Sequence, residues 1–536
     1  MGQSTKKNLL IAAAYALVLI TGMLLGPKFE KENSDLKNGA FLPFGMSSRH
    51  DKMGQLMQII QNNYVDSVNL DTLQHKAIEG IIKQLDPHTI YLSPAEVRML
   101  SEDLEGNFNG IGIEYYILND TVLVTAVNNN GPAYEAGVLP GDQILKINNK
   151  SIAGTHVTGK MVVEQIRGPR GTSMMLSLKR GPQMKQVKVV RNKITISSID
   201  AAYLLNKGTG YIKISRFGDQ TDEDFLAALE RLQNQGMKNL VLDLRQNGGG
   251  YLSSATALAS QFLKEKSLIV YTQGLHEPRT DYFSTGKGQF EKGQLVVLID
   301  ENSASASEII AGAVQDLDRG IIIGRRSFGK GLVQQQFNFG DGSALNLTIA
   351  RYYTPSGRSI QKPYQNGAEA YYQEVAQRLK NGELSSDGNI SDTLFNKQHT
   401  YLTRSGKVVY GGGGIMPDIY IPIDTSGLTN YYTSVSRKGI VNEFVFRHLI
   451  NFNAKPSQPE VFLQNFTISK SQYDELVKLA AARNITSNGQ QIQLSKKAIE
   501  NDAKALLVRY YFGDEAFYKL LNNNDQAIAR SLEVFK

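Results

Sequence analysis

A chain of 536 residues is longer than one hydrophobic core organises and is expected to divide into several domains. Its 58 basic and 51 acidic residues leave a balance of +7, spread over a large surface and not gathered in a basic tract, which argues against nucleic-acid binding. The absence of cysteine excludes disulfides, zinc–thiolate sites and a cysteine nucleophile, and is silent on redox compartment.

Lys6 and Lys7 precede an apolar run over residues 9–26, which as a helix spans roughly 27 Å at about 1.5 Å per residue, enough to cross a bilayer. No A-x-A pattern follows it and no cysteine offers a lipid anchor. Residues 1–27 are therefore expected to be an uncleaved signal anchor, the lysines inside and the bulk of the chain extracytoplasmic, periplasmic if the cell has an outer membrane. A buried helix opening a soluble domain is the alternative. A polar linker over about 28–48 leads into residues 45–105, where Met53, Leu56, Ile59 and Ile60, then Leu73, Ala77, Ile81 and Leu85, recur at helical spacing. From Gly110 short apolar runs alternate with Gly and Pro turns (GIGIE, VLVTAV from Val122, GVLPGDQILKIN from Gly137), with a helix-like MVVEQI from Met161. Residues 106–192 thus read as a compact β-domain.

Residues 193–425 alternate strand and helix: YIKI from Tyr211, a helix over 222–235, NLVLDL from Asn239, a helix over 253–263, LVVLID from Leu295, a helix over 307–317, then GIIIG from Gly320. Such alternation predicts an α/β core with largely parallel strands. Residues 364–400, rich in Asn, Gly, Ser and Asp, read as a surface insertion. Residues 426–536 are helical and polar, for example over 471–483 and 496–511, and no tandem repeat is evident.

The stretch GRRSFGKGLVQ, Gly324 to Gln334, admits three readings. As a P-loop it lacks the Ser or Thr after the lysine and a following helix, having Gly331 and a strand-like LVQQQFNF instead. As an S-x-x-K pair from Ser327 it needs a helical turn, which Gly329 and Gly331 disfavour. The third reading joins Lys330 to the strand end LVVLID and the turn ENSASASE, residues 301–308, which runs into an apolar helix. A serine on such a strand-to-helix turn exposes its hydroxyl beside the unpaired N–H groups of the helix. Capping is the competing account, since Ser305-x-x-Glu308 is a capping box; spacing alone does not choose among Ser303, Ser305 and Ser307. DLRQNGGG, residues 243–250, is a second strand end whose three glycines allow close backbone approach. Both clusters sit at the carboxyl ends of parallel strands, the edge where ligands bind in open α/β sheets.

These residues resemble the carboxy-terminal processing, or tail-specific, proteases over about 64–422. YVD from Tyr64 and LDPHTIYL from Leu85 resemble the family's helical lead-in, GIGIE the opening of its PDZ domain, and DLRQNGGG its core glycine turn; SASASE from Ser303, FGKGLVQ from Phe328 and YTPSGRSIQ from Tyr353 complete the set. The resemblance implies a Ser/Lys serine protease with Ser305 as nucleophile, Lys330 as general base and Gln334 positioning the lysine. The Ala306 amide and a glycine of the pair Gly249/Gly250 would form the oxyanion hole; Gln246-Asn247-Gly248, where the family often has Asn-Asn-Pro, leaves the choice of glycine open. In a strand, Lys330 and Gln334 share a face by the period of two. A lysine base must lose its proton near neutral pH, which requires burial away from other charges; Phe328 and the strand over 321–323 are consistent with this, while Arg325 and Arg326 would oppose burial but add repulsion to the ammonium. A Ser/His/Asp triad finds no support among the seven histidines, His88 reading as structural, and no metal-ligand motif or cofactor is implied.

The PDZ resemblance implies capture of a peptide carboxylate by backbone amides at Gly110, Ile111, Gly112 and Ile113, with Arg167 sensing the bound tail or simply lying on the surface. Partners are then proteins or peptides with free C-termini, and the membrane through the anchor; a second copy or an adaptor is left open. A non-catalytic PDZ scaffold on the same fold is the alternative, though no expected catalytic residue is missing.

Overall fold

The computed structural model describes residues 51–385, 400–425, 427–450, 456 and 458–536. The expected anchor at residues 1–27 lies outside them, and among the described residues no helix is long and apolar enough to cross a membrane. The chain separates into Met1–Ala77 and Ile78–Lys536. In the first unit the helix Lys52–Asn63 starts at Asp51, whose carboxylate accepts the Gly54 N–H at 2.8 Å.

In the second unit an antiparallel sheet runs in the order Ile113–Leu118, Thr121–Val127, Gln143–Ile147, Ser173–Arg180, Gln183–Val190. The helix Gly159–Ile166 closes it, burying Val162 and Ile166 on Val124, Ile144 and Leu176. Asn107–Gly110 pairs with Asn192–Thr195 where the chain enters and leaves this domain. Ile113–Leu118 is an end strand of the sheet.

The core is a six-stranded sheet ordered Ile199–Asn206, Thr209–Ile214, Asn239–Asp243, Leu295–Ile299, Ile321–Gly324, Ile419–Tyr420. Its first pair is antiparallel and the rest parallel. Leu295–Ile299 is apolar at every position because both faces are covered. On one face lie the helices Thr221–Asn234, Leu252–Ala259 and Ala306–Asp316. On the other, Tyr211, Val241 and Leu298 meet Ala527 and Ile528 of the C-terminal helix Gln526–Val534. That helix's cap, Asp525, also pairs with Arg245 at 2.6 Å, and Arg245 grips Asp243. The end of the chain thereby braces the stem of the glycine turn.

Lys330 leads into a different sheet. Leu332–Asn338 pairs antiparallel with Ala344–Tyr353, which also pairs with Ile90–Leu92 and Leu268–Gln273. Two sequence expectations change here. Lys330 precedes the strand, and the register slips between Val333 and Gln334, so a continuous period of two does not relate Lys330 to Gln334. The segment 364–400 is not merely an insertion: Gly367–Lys380 is a helix that buries Tyr371 and Arg378, while residues 386–399 lie outside the described residues. The loop-like composition of the whole segment hides the helix-forming AEAYYQEVAQRLK within it.

The C-terminal helices, including Lys470–Ala482 and the 24-residue Gly489–Phe512, enclose their own apolar core. They touch the β-domain through Tyr116, which stacks on Phe446 at 5.1 Å and donates to the Gly439 carbonyl at 3.4 Å.

Candidate active site

The strand Leu295–Ile299 turns into the helix Ala306–Asp316 at Ser305, which has φ 55° and ψ −114°. A non-glycine residue holds such a backbone only when its surroundings over-determine it. Here they do. The Ser305 N–H donates to the Glu308 carboxylate at 2.8 Å, the Glu308 N–H donates to the Ser305 carbonyl at 2.8 Å, and the Tyr352 hydroxyl donates to the same carbonyl at 3.1 Å. The Glu308 side chain caps the turn while the Ser305 hydroxyl makes no cap bond among the described residues, so capping does not consume the candidate nucleophile.

The neighbouring serines are spent on structure. Ser303 Oγ bonds to the Leu244 carbonyl at 2.9 Å, Ser307 Oγ to the Asn247 carbonyl at 2.9 Å, and Ser327 Oγ to Glu308 at 2.5 Å. All three are fully buried, whereas Ser305 is partly exposed and lines a cavity of about 640 Å³.

Asn247 ties the glycine turn to this elbow: its carbonyl accepts from the Ala304 N–H at 3.0 Å and its side chain accepts from the Gly249 N–H at 2.9 Å. A Cβ on Gly249, whose φ is +104°, would stand 2.8 Å from Ser305 Cβ, so only glycine allows the approach. The Gly249 N–H is thus occupied. Gly248 and Gly250 line the cavity, and neither their N–H groups nor that of Ala306 is bonded among the described residues. Ala306 opens its helix, where the first N–H groups have no intrahelical acceptor.

The loop carrying Lys330 is non-helical from Arg325 to Gly331 and is pinned on several sides. Phe328 N–H reaches the Ser303 carbonyl at 2.9 Å, Gly331 N–H reaches Gln361 at 2.8 Å, and Arg378 donates to the Ser327 carbonyl at 2.9 Å. The fully buried Glu308 joins both halves of the site. It accepts from Ser305 N–H and Lys330 N–H (2.9 Å) on one oxygen, and from Ser327 Oγ and Gly329 N–H (2.7 Å) on the other. Burial pushes the Glu308 carboxyl up despite these four donors.

Lys330, Gln334, Ala306 and Ser305 line one cavity, with Leu100 and Leu104 of the helix Pro94–Leu104 on its wall. No hydrogen bond joins Ser305 to Lys330 among the described residues. Burial lowers the Lys330 ammonium below its ordinary range, against the opposing pull of Glu308 and Asp86. Arg325 and Arg326 do not crowd it: Arg325 pairs with Glu301 at 2.6 Å and Arg326 with Glu383 at 2.7 Å. His88 is more than a remote structural histidine. Burial and the nearby Lys330 bring it down to about 4, and its Nε2 lies 2.9 Å from the Tyr371 hydroxyl. Among the described residues no group of acidic and His side chains is gathered as a metal site would require.

In the β-domain, Ile111, Gly112, Ile113 and Arg167 border a small cavity of about 100 Å³ between the end strand and the helix Gly159–Ile166. Gly110 is absent from its lining and pairs instead with Asn192. Arg167 lies 4.4 Å from the Phe108 ring and forms an ion pair with Glu102, on the same helix that supplies Leu100 and Leu104 to the larger cavity. Sequence reasoning missed Asp86, Thr348 and Tyr352, and saw Glu308 only as a cap; the four-donor role of Glu308 has no linear signal.

The profile of peptidase family S41 matches residues 208–368, that of the PDZ domain residues 123–180, and a family of unknown function residues 431–513. A carboxy-terminal-processing protease of Bartonella bacilliformis is 38% identical over 58% of this chain and 72% of its own length. The carboxy-terminal processing protease CtpB of Bacillus subtilis is 33% identical over 58% of this chain and 65% of its own. Among solved structures, the photosystem II D1 C-terminal processing protease is 28% identical, covering 57% of this chain and 83% of that one with a TM-score of 0.33.

Proposed function

Starting from a chain that belongs to the carboxy-terminal processing serine proteases of peptidase family S41 and carries a PDZ domain, we propose that it cleaves proteins with a Ser305/Lys330 dyad. Neutral Lys330 Nζ takes the Ser305 Oγ proton as Oγ attacks the scissile carbonyl. The N–H groups of Ala306 and Gly250 receive the oxyanion. Lys330 then returns the proton to the leaving amine, and water hydrolyses the acyl-enzyme by the same route in reverse. Gln334 positions the lysine. The observation that carries this reading is that Ser305, alone among the clustered serines in being partly exposed, shares a cavity with a half-buried lysine whose ammonium desolvation disfavours.

The substrate class is proteins or peptides with a free, apolar C-terminus. The end strand Ile113–Leu118 and the cavity at Ile111, Gly112 and Ile113 suit a peptide added as a strand. The docked tail shifts the PDZ domain between an arrangement that blocks the cleft and one that opens it, with Arg167 relaying the change through Glu102. A preference of roughly 1.4 kcal/mol for one arrangement changes their ratio about tenfold. The apolar run at residues 9–26 supports a membrane anchor with the catalytic part extracytoplasmic.

The test is cleavage of an unstructured protein by the full chain. Ser305→Ala and Lys330→Ala each abolish it, and chelators do not. Activity in Ser305→Ala together with loss in Ser303→Ala or Ser327→Ala overturns the nucleophile assignment. Equal rates on substrates with free and amidated C-termini overturn the tail-sensing part alone.

A further inference from the structure

Gln334 stands directly across the sheet from Thr348, just after the register slip in its strand. Its amide Nε2 lies 3.2 Å from Thr348 Oγ1. On the far side of Thr348, the strand Ile90–Leu92 pairs with Ala344–Tyr353 so that Ile90 opposes Asn346. That register brings the preceding Asp86-Pro87-His88-Thr89 turn beside Thr348. Thr348 Oγ1 lies 3.0 Å from Asp86 Oδ1. Asp86 also accepts from the His88 N–H at 2.9 Å, the Thr89 N–H at 3.1 Å and the Thr89 hydroxyl at 2.6 Å.

We propose that Asp86 and Thr348 are positioning residues that dictate which end of the Gln334 amide faces Lys330. A carboxylate can only accept, and a threonine hydroxyl has one proton to give. That proton is committed to Asp86, so toward Gln334 the Thr348 oxygen can only accept. Gln334 must therefore turn its NH₂ to Thr348 and its carbonyl oxygen the other way, into the cavity it shares with Lys330. The orientation follows from the acceptor-only chemistry of Asp86, whichever amide atom is taken as nitrogen. A carbonyl facing the lysine accepts one amine N–H and leaves the lone pair for the Ser305 proton. The reversed amide would offer donors that compete for that lone pair.

The inference rests on the Ser305/Lys330 reading, and its readout separates the two. The charged and titratable groups around Lys330 are the carboxylates of Glu308 and Asp86 and the ring of His88, with Lys362 facing that ring in turn. None of these is altered in charge by a change at Thr348. Thr348→Val deletes the hydroxyl at nearly constant shape, and Thr348→Ser keeps it. With full-length protein and an unstructured substrate, Thr348→Val lowers kcat at least tenfold with KM within about twofold. It also moves the acid limb of the kcat–pH profile to lower pH by ~0.5 or more, because the ammonium form loses its carbonyl acceptor. Thr348→Ser restores most of kcat and the wild-type limb. In a Gln334→Ala background Thr348→Val has no further effect. Should Thr348→Val not fold, Thr348→Ala makes the same deletion. A Thr348→Val enzyme with wild-type kcat and limb, a Thr348→Ser enzyme equally impaired, or an undiminished Thr348→Val effect in the Gln334→Ala background overturns the relay. Lys330→Ala is run alongside: activity there overturns the dyad and the relay together, while its loss beside a normal Thr348→Val overturns the relay alone.

Discussion

Replacing Glu308 by glutamine changes one atom at the junction of the two catalytic turns, and the structure says what that costs. One carboxylate oxygen faces two backbone donors, Ser305 N–H at 2.8 Å and Lys330 N–H at 2.9 Å; the other faces Gly329 N–H at 2.7 Å and the Ser327 hydroxyl at 2.5 Å. An NH₂ on the first side would confront two donors that cannot turn away. On the second side it confronts the Gly329 N–H alone if the Ser327 hydroxyl, which already accepts the Ile415 N–H at 2.6 Å, turns its own proton away. The better orientation thus leaves one buried N–H without an acceptor, about 1–3 kcal/mol, and weakens the remaining bonds by removing their charge. The neutral amide recovers part of the desolvation that pushes the carboxyl up, so a net loss of about 1–3 kcal/mol is expected. The larger effect falls on catalysis, because Ser305 and Lys330 are held to each other through this one side chain; a displacement of about 1 Å costs on the order of 10²-fold in kcat. Urea unfolding and cleavage kinetics on the same preparation read both effects. Glu308→Gln with wild-type stability and kcat within about threefold would refute the clamp.

Gly249→Ala places a methyl 2.8 Å from Ser305 Cβ and 2.9 Å from the Ala304 carbonyl at φ +104°; it is expected to lower kcat at least about 10²-fold by shifting the elbow, measured at a temperature where the variant is folded. Glu102→Gln is expected to reproduce Arg167→Ala, narrowing the difference in rate between substrates with free and amidated tails; an unchanged difference would remove the ion pair from the relay. Because burial lowers Lys330 and its neutral form is the base, kcat should rise with pH and level off below the ordinary lysine value of about 10.4; a profile falling over that range would count against a lysine base. His88 titrates at about 4 in the fold against 6.5 when exposed. The unfolded chain therefore binds the extra proton first, and stability should decline as pH falls from 6.5 toward 4 by at most about 3 kcal/mol, less for a ring partly open to solvent. His88→Asn should flatten that decline; parallel curves would mean the ring is not held neutral.

The sheet was readable because strands covered on both faces are continuous apolar runs, as in Leu295–Ile299 and Ile321–Gly324, and its helices fall within a few residues of their periodic patterns. The serine was not readable from spacing, since Ser303, Ser305 and Ser307 share one turn. What separates them is that two hydroxyls are consumed by the carbonyls of Leu244 and Asn247, partners about sixty residues away. That Lys330 and Gln334 share a face does not follow from an uninterrupted strand, because the register slips just before Gln334, although both line one cavity. Asp86 and Thr348 lie 262 positions apart, and only the assembled sheet brings them together. That the Gly249 N–H is occupied while that of Gly250 is not, among the described residues, likewise turns on one side chain, Asn247, a contact the residue types alone do not reveal.

The dyad is tested most directly by treating the full chain with a serine-acylating fluorophosphonate and locating the adduct by peptide mass mapping. The account predicts a single adduct on Ser305, absent in Ser305→Ala and strongly slowed in Lys330→Ala although the serine is still present. Labelling of another residue, or labelling of Ser305 at an undiminished rate without Lys330, would contradict it.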